Sequence, residues 1–214
     1  MSARAFARAV SIIAGGRRDH SASPAPGADP PRVLQLIETG GPGGAERMLL
    51  DLSRHLGTWY DVEVGLLKSG WLETQVVALG LPCAAIRGHG AGDLGVVAGL
   101  IEVVRTRRIS LMHAHEFYMA AVGAAVSRLT GIPLVVTVHG KGYYPDKRRR
   151  RLLYRLIAAQ AARMVAVCRD LAEFFCRTTG TPGPRVEVVY NGMTSSRSPA
   201  CRAIVNSSRA LASR

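Results

Sequence analysis

The sequence predicts an α/β fold built on a doubly wound, mainly parallel β-sheet. After Pro31, short β-rich runs alternate repeatedly with longer segments whose apolar residues recur every three or four positions. Several of the short runs are continuous stretches of Val, Ile and Leu, as is required of strands that helices cover on both faces. In a sheet of this kind, ligands collect beyond the carboxyl ends of the strands, so the residues that follow each strand are the first candidates for function.

The first predicted strand, Val33–Ile37, is followed by a glycine-rich loop and a helix over Ala45–Leu56, with Gly57 where a helix C-cap is expected. Six further β-rich runs predict strands at Val62–Leu67, Cys83–Ile86, Ile109–His113, Leu134–Val138, Met164–Val167 and Val186–Tyr190. The longer periodic segments between them predict helices at Leu72–Leu79, Leu94–Thr106, Phe117–Leu129, Lys147–Ala162 and Arg169–Thr178.

The 214 residues suffice for one substantial domain with loose ends. Residues 1–31 have no sustained apolar period and contain a Ser- and Pro-rich stretch, so we expect a disordered leader there. Residues 32–192 hold the predicted strands and helices, and residues 193–214 are expected to be a flexible tail. No stretch approaches the roughly 18 apolar residues of a membrane span, and no convincing signal peptide is present, so we expect a soluble, cytoplasmic protein.

The loop after the first strand reads Thr39-Gly40-Gly41-Pro42-Gly43-Gly44-Ala45-Glu46-Arg47. Glycine lacks a Cβ, so a ligand can approach main-chain N–H groups, and the N-terminus of the following helix attracts anions. Gly41, Gly43, Gly44 and Glu46 are therefore candidate ligand-binding residues, in a loop that favours an anionic group. A tight connection that binds nothing has the same local pattern. The loop does not read Gly-x-Gly-x-x-Gly, and no acid ends the second strand, so the dinucleotide-binding signature is missing.

His139 ends the fifth predicted strand and is followed by Gly140, so its imidazole is expected to project into the crevice. A neutral imidazole there can bond a sugar hydroxyl or transfer a proton, although a structural histidine fits the same position. His115, Lys141 and Asn191 also follow strands and are counted as binding candidates at this rim. No Ser-His-Asp or Cys-His nucleophile can be assembled from the local motifs.

His113, His115 and Glu116 raise the question of a metal site, but we expect none. The two histidines are expected to point to opposite faces of an extended segment, which disfavours a chelate. We expect His113 to be structural, with His115 and Glu116 nearer the rim.

The net charge is +13, and five of the positive charges are consecutive. They occupy the first turns of a predicted basic helix, with Leu152, Leu153, Leu156 and Ile157 as its apolar stripe. Such a helix is typical of anionic membrane surfaces, although a helix docked on the sheet with a solvated basic end has the same pattern. Few aromatic residues are interleaved with the charges, which disfavours nucleic acid. The candidate membrane surface comprises Lys147, Arg148, Arg149, Arg150, Arg151 and Arg155.

Five motifs occur in order after predicted strands, namely Gly40-Gly41-Pro42-Gly43-Gly44-Ala45-Glu46-Arg47, His113-Ala114-His115, Thr137-Val138-His139-Gly140, Val165-Ala166-Val167-Cys168 and Val188-Val189-Tyr190-Asn191-Gly192. Together they resemble the N-terminal, acceptor-side Rossmann-like domain of retaining GT-B glycosyltransferases of family 4. The resemblance implies hexosyl transfer from a nucleotide-sugar to a glycan or lipid-linked acceptor, without a metal ion or other cofactor. By this similarity, Gly43 and Gly44 approach the donor diphosphate or the acceptor, and His139, the expected catalytic residue, bonds the donor sugar. The basic helix would correspond to a surface that docks at the inner face of the plasma membrane.

The resemblance stops at Asn191-Gly192. In this family that motif leads into a second domain, whose Glu-x7-Glu element holds the nucleotide and donor sugar. Here only a short Ser- and Arg-rich segment follows. We therefore expect either that a separate chain supplies the donor-binding half or that the chain is an inactive fragment. A non-catalytic module that binds a membrane surface or an acceptor is the alternative function.

Overall fold

A seven-stranded parallel sheet forms the centre of the protein in a computed structural model, which describes residues 30–88, 90, 93–141 and 148–191. Its strands are β1 Arg32–Ile37, β2 Asp61–Leu66, β3 Cys83–Ala85, β4 Leu111–His115, β5 Leu134–Val138, β6 Arg163–Ala166 and β7 Val186–Val188. The helices are α1 Gly44–Leu56, α2 Trp71–Ala78, α3 Leu94–Thr106, α4 Phe117–Thr130, α5 Arg148–Gln160 and α6 Arg169–Thr179, and a 3-10 turn at Gly183–Arg185 precedes β7. The predicted α/β class is confirmed, and each predicted strand and helix is present.

Some sequence predictions fall outside the described residues. These are the expected leader, apart from its last two residues, together with Lys147, Gly192 and the tail at 193–214.

The strand order is β3-β2-β1-β4-β5-β6-β7, and neighbouring strands pair in parallel throughout. The chain builds outward from β1 to β3 and then returns to the other side of β1 with β4. The connections leaving β1 and β4 therefore diverge, which opens a crevice at the carboxyl ends of these two central strands.

Helices cover both faces of the sheet, as the continuously apolar strands predicted. On one face, Leu34, Met112 and Val136 belong to a core that includes buried residues of α3, α4, α5 and α6. On the other face, Val33 and Leu111 pack with α1, and a smaller cluster joins β1 and β2 to α1 and α2. Strands β4 and β5 are buried along their whole length.

The fourth strand was predicted at Ile109–His113 but is formed by Leu111–His115, two residues later. Ile109 still belongs to the turn that ends α3, because its N–H donates to the carbonyl of Val104 at 2.9 Å. Arg108 precedes it with a φ of +52°. The shift matters because it places His115 inside the sheet.

Candidate functional site

A cleft of about 730 Å³ opens where β1 and β4 diverge. The glycine loop and the first turn of α1 form one side, and the start of α4 and the end of β5 form the other. Tyr154 of α5 and Asn191 beyond β7 complete the lining. Of the residues chosen from the sequence, the cleft is lined by Gly41, Gly43, Gly44, Glu46, His139 and Asn191.

The glycines of the loop have two different roles. A Cβ at Gly40 would lie 2.9 Å from the carbonyl oxygen of Lys68, so this glycine lets the loop pack against the connection after β2. Gly41 and Gly44, in contrast, have no atom within 4 Å of their Cβ positions. Gly43 is the N-cap of α1 and provides no side-chain cap. The backbone is therefore open at Gly41 and Gly44, whereas a Cβ at Gly43 would meet the carboxylate of Glu46.

The loop carries its own carboxylate. Glu46 is only 5% exposed and lies in the first turn of α1, where a negative charge complements the helix dipole. The hydroxyl of Thr39 donates to Glu46 Oε1 at 2.5 Å, and both carboxyl oxygens of Glu116 lie 3.4 Å from the same hydroxyl. Two carboxyl groups at this position disfavour a diphosphate and favour a ligand that donates hydrogen bonds, such as a sugar hydroxyl.

Glu116 was not among the binding residues chosen from the sequence. It precedes α4 with φ +69° and ψ 165°, a conformation that is essentially restricted to glycine and costs about 1–3 kcal/mol in other residues. Burial raises the pKa of its carboxyl, and the neighbouring carboxylates of Glu46 and Glu38 raise it further. A strained carboxyl group in a cleft is typical of a functional position. Its place directly after His113-Ala114-His115 was the only signal in the sequence.

The expectation that His113 and His115 point to opposite faces was wrong. Alternate residues of a strand share one face, and the centroids of the two rings lie 4.2 Å apart. The Nε2 of His113 hydrogen-bonds the hydroxyl of Thr137 at 2.7 Å. His115 uses both ring nitrogens, since Nε2 lies 2.8 Å from Gln35 Oε1 and Nδ1 lies 3.0 Å from His139 Nε2. His115 is fully buried beneath the cleft rather than at its rim.

These three histidines are neutral at physiological pH. Burial lowers the pKa of His139 to about 4. Burial also lowers the pKa values of His113 and His115 well below the ordinary histidine value, and the nearby imidazoles lower them further. Within the described part of the chain, no three His, Cys, Asp or Glu side chains form a group that could hold a metal ion.

Lys141 is not brought to the cleft. Its ammonium lies 2.6 Å from the carboxylate of Asp170 and 5.2 Å from the centre of the Phe174 ring. The described residues therefore pair this cation with the first turn of α6, away from the cleft lining.

The basic helix α5 differs from its predicted pattern. Ile157 points into the core with Tyr154 and Ala158, but the leucines predicted to share its stripe lie outward. Leu152 and Leu156 are both 58% exposed, and Leu153 is 38% exposed. The arginines of the first turns and Arg155 are exposed beside them. No helix in the ranges described above has the length and apolar character needed to cross a bilayer.

Comparison with known proteins identifies the fold and the family. The galactosyltransferase of Escherichia coli described as UDP-Gal:alpha-D-GlcNAc-diphosphoundecaprenol alpha-1,3-galactosyltransferase is 23% identical over 144 residues, which are 63% of this chain and 37% of the enzyme. The crystal structure of HepE from Anabaena in complex with UDP matches with a TM-score of 0.65 at 22% identity, over 85% of this chain and 50% of HepE. A glycosyltransferase structure from Rickettsia africae matches with a TM-score of 0.68 at 13% identity, over 86% of this chain and 50% of its own.

The chain thus spans about half the length of these solved structures, and less of the curated relative. The sequence model of Glycosyltransferase Family 4 matches residues 42–197, which is well over half of the chain and includes most of the cleft-lining residues. The chain therefore belongs to glycosyltransferase family 4.

Proposed function

We propose that this domain forms one wall of a sugar-transfer cleft, in which a hexosyl group passes from a nucleotide-sugar to a glycan or lipid-linked acceptor with retention of configuration. The observation that carries the proposal is the convergence of a glycine loop open at Gly41 and Gly44, two carboxyl groups and the neutral imidazole of His139 at the gap between β1 and β4.

The chemistry of this wall suits a sugar. The carboxyl oxygens of Glu46 and Glu116 accept hydrogen bonds from hydroxyl groups, and His139 adds a neutral ring nitrogen. Phe117 and Tyr154 add apolar surface to the same cleft. A pocket that combines apolar walls with a few fixed polar groups is typical of sites for small polar ligands.

The relatives support the substrate classes. HepE is described in complex with UDP-glucose, and the name of the Escherichia coli relative gives UDP-galactose as donor and a diphosphoundecaprenol-linked sugar as acceptor. Transfer also requires the half of the GT-B fold that this chain does not span. We propose that the reaction needs no metal ion or other cofactor.

The test is sugar transfer by this chain mixed with a donor-binding half, measured as release of UDP from UDP-glucose or UDP-galactose in the presence of an acceptor. We expect His139→Ala to lower the rate by about 10- to 100-fold, as for the loss of one strong hydrogen bond to the substrate. His55→Ala changes an exposed histidine on α1 and serves as the matched control. Transfer that His139→Ala leaves unchanged would contradict the proposed role of the cleft.

A second role is favoured by the outer face of α5, which we define as Leu152, Leu153 and Leu156 with Arg148, Arg149, Arg151 and Arg155. Exposed leucines between exposed arginines fit an anionic lipid surface, where the leucines enter the headgroup region and each cation contributes about 1 kcal/mol. We propose that this face holds the domain peripherally at the inner face of the plasma membrane, close to lipid-linked acceptors.

Vesicle sedimentation tests the membrane role. We expect binding to vesicles with anionic lipid and little binding to zwitterionic vesicles. Changing Arg148, Arg149 and Arg151 together to Gln is expected to abolish it. The matched control changes three exposed arginines elsewhere, Arg54, Arg105 and Arg128, to Gln. Equal loss of binding in both variants would show that net charge alone is responsible and would refute the assignment to α5.

A further inference from the structure

A buried amide lies behind the histidine of the cleft, and the proposed transfer does not use it. Gln35 of β1 is fully buried, and its Oε1 lies 2.8 Å from His115 Nε2. Its Nε2 has no hydrogen-bond partner among the described residues. A buried donor without a partner is costly, so the position of this amide calls for a physical account.

The register of the sheet brings this amide to the cleft. Gln35 is paired with His113 across β1 and β4, and His115 is paired with Thr137 across β4 and β5. These residues therefore share one face of the sheet, and the same face continues to His139 just after β5. The result is a chain of hydrogen bonds from Gln35 through His115 to His139 across three strands.

With Oε1 of Gln35 facing His115, these hydrogen bonds fix the positions of the protons. A neutral imidazole has one nitrogen that donates and one that accepts. Because Gln35 Oε1 accepts, His115 Nε2 must donate, and His115 Nδ1 is then an acceptor. His139 Nε2 must donate to it, which leaves Nδ1 of His139 without a proton. The opposite arrangement requires the amide nitrogen of Gln35 to face His115.

We propose that Gln35 is a positioning residue that, through His115, holds the proton of His139 on Nε2 and leaves Nδ1 as an acceptor. His139 then accepts a hydrogen bond from a ligand hydroxyl and gives none. An ionised phosphate oxygen has no proton to donate, so this nitrogen selects a sugar hydroxyl over a phosphate. The identity of the ligand rests on the proposed function, but the position of the proton does not, because it is a property of the ligand-free protein.

The test is two-dimensional ¹H–¹⁵N NMR of the imidazole nitrogens in the full chain at neutral pH, which reports directly which nitrogen carries the proton. We expect the proton on Nε2 in both His115 and His139, with assignment by single His→Gln variants. A proton on Nδ1 of His139 in the wild-type protein overturns the proposal without any further variant.

Gln35→Met removes the amide at similar side-chain length. We expect it to raise the Nδ1-protonated population of His139 at least tenfold, because His115 no longer has a fixed acceptor. Thr137→Val is the control. It removes the hydrogen bond to His113 on the same buried face but leaves Gln35, His115 and His139 unchanged. An unchanged His139 in Gln35→Met, or an equal change in Thr137→Val, overturns the proposal. If Gln35→Met does not fold, the wild-type spectrum decides.

The proposed function can be refuted independently of the role of Gln35. A chain that shows the expected Nε2 proton but binds neither UDP-glucose nor UDP-galactose together with a donor-binding half supports the role of Gln35 and refutes the substrate class.

Discussion

Lowering the pH from 7 to 5 is expected to destabilise the folded domain because three buried histidines stay neutral in it. The pKa of His139 is about 4 in the folded chain, and those of His113 and His115 are also lowered by burial. An unfolded histidine takes up its proton near pH 6.5, so as the pH falls below this value the unfolded chain gains protons before the folded chain does. The free energy of unfolding is therefore highest above about pH 6.5 and declines toward pH 4.

The expected decrease in the free energy of unfolding follows from the number of protons that only the unfolded chain takes up. Each histidine that is protonated only in the unfolded state contributes about 1.4 kcal/mol per pH unit, so His139 alone removes about 2 kcal/mol by pH 5. Burial also lowers the pKa values of His113 and His115, so both add to this slope in the same direction. The loss from His139 alone is already sizeable against a total stability of about 5–15 kcal/mol. Glu116 acts in the opposite direction, because its raised pKa favours the folded state at low pH.

Urea denaturation followed by circular dichroism at pH 7, 6 and 5 measures this slope. His113→Gln removes one group whose pKa burial lowers and is expected to reduce the slope, whatever its effect on stability at pH 7. His55→Gln, at an exposed position on α1, serves as the control. A free energy of unfolding that stays constant or increases as the pH is lowered from 7 to 5 would refute the assignment of neutral buried imidazoles.

Four further outcomes are expected. Gly40→Ala should cost about 1–3 kcal/mol in urea denaturation because its Cβ meets the backbone of Lys68. Gly44→Ala should leave stability unchanged or raise it by up to ~1 kcal/mol. In titration calorimetry with a donor-binding half, the same variant should weaken nucleotide-sugar binding. Equal effects of the two glycine variants would contradict this division of roles. Glu116→Gly should raise stability by about 1 kcal/mol, because it relieves the backbone strain at this position, and should lower sugar transfer. Glu116→Gln keeps the strained backbone. A loss of stability in the glycine variant would refute the strain. Addition of EDTA should leave transfer unchanged, and a loss restored by Mg²⁺ would contradict the metal-independent proposal.

The sequence predicted the elements well because long apolar patterns determine which segments are strands and helices. It predicted β4 poorly because Ile109, although β-branched and apolar, is held in the turn after α3 by a hydrogen bond that no pattern reveals. His139 was recognised because it directly follows a buried strand and precedes a glycine. Gln35 was missed because a single polar residue inside an apolar strand carries no motif, and only the pairing of β1 with β4 connects it to the cleft.

Other differences have the same origin. The direction of the leucines on α5 depends on which side of the helix meets the core, and an apolar stripe alone does not determine this. The expected attraction of the glycine loop for anions did not take into account that Glu46 folds back onto the start of its own helix. Local spacing predicts local structure, whereas contacts between distant segments determine the charge and the protonation of the cleft.

The pairing of β1 with β4 also bears on how the protein folds. The hydrogen bond between Gln35 and His115 joins residues 80 positions apart, so it forms only after a long segment of chain has closed. Until β1 has paired with β4, His115 lacks the Gln35 oxygen that faces its Nε2. The position of one imidazole proton would therefore distinguish a fully assembled sheet from a partly assembled one, and it would give folding experiments an internal reporter that needs no added label.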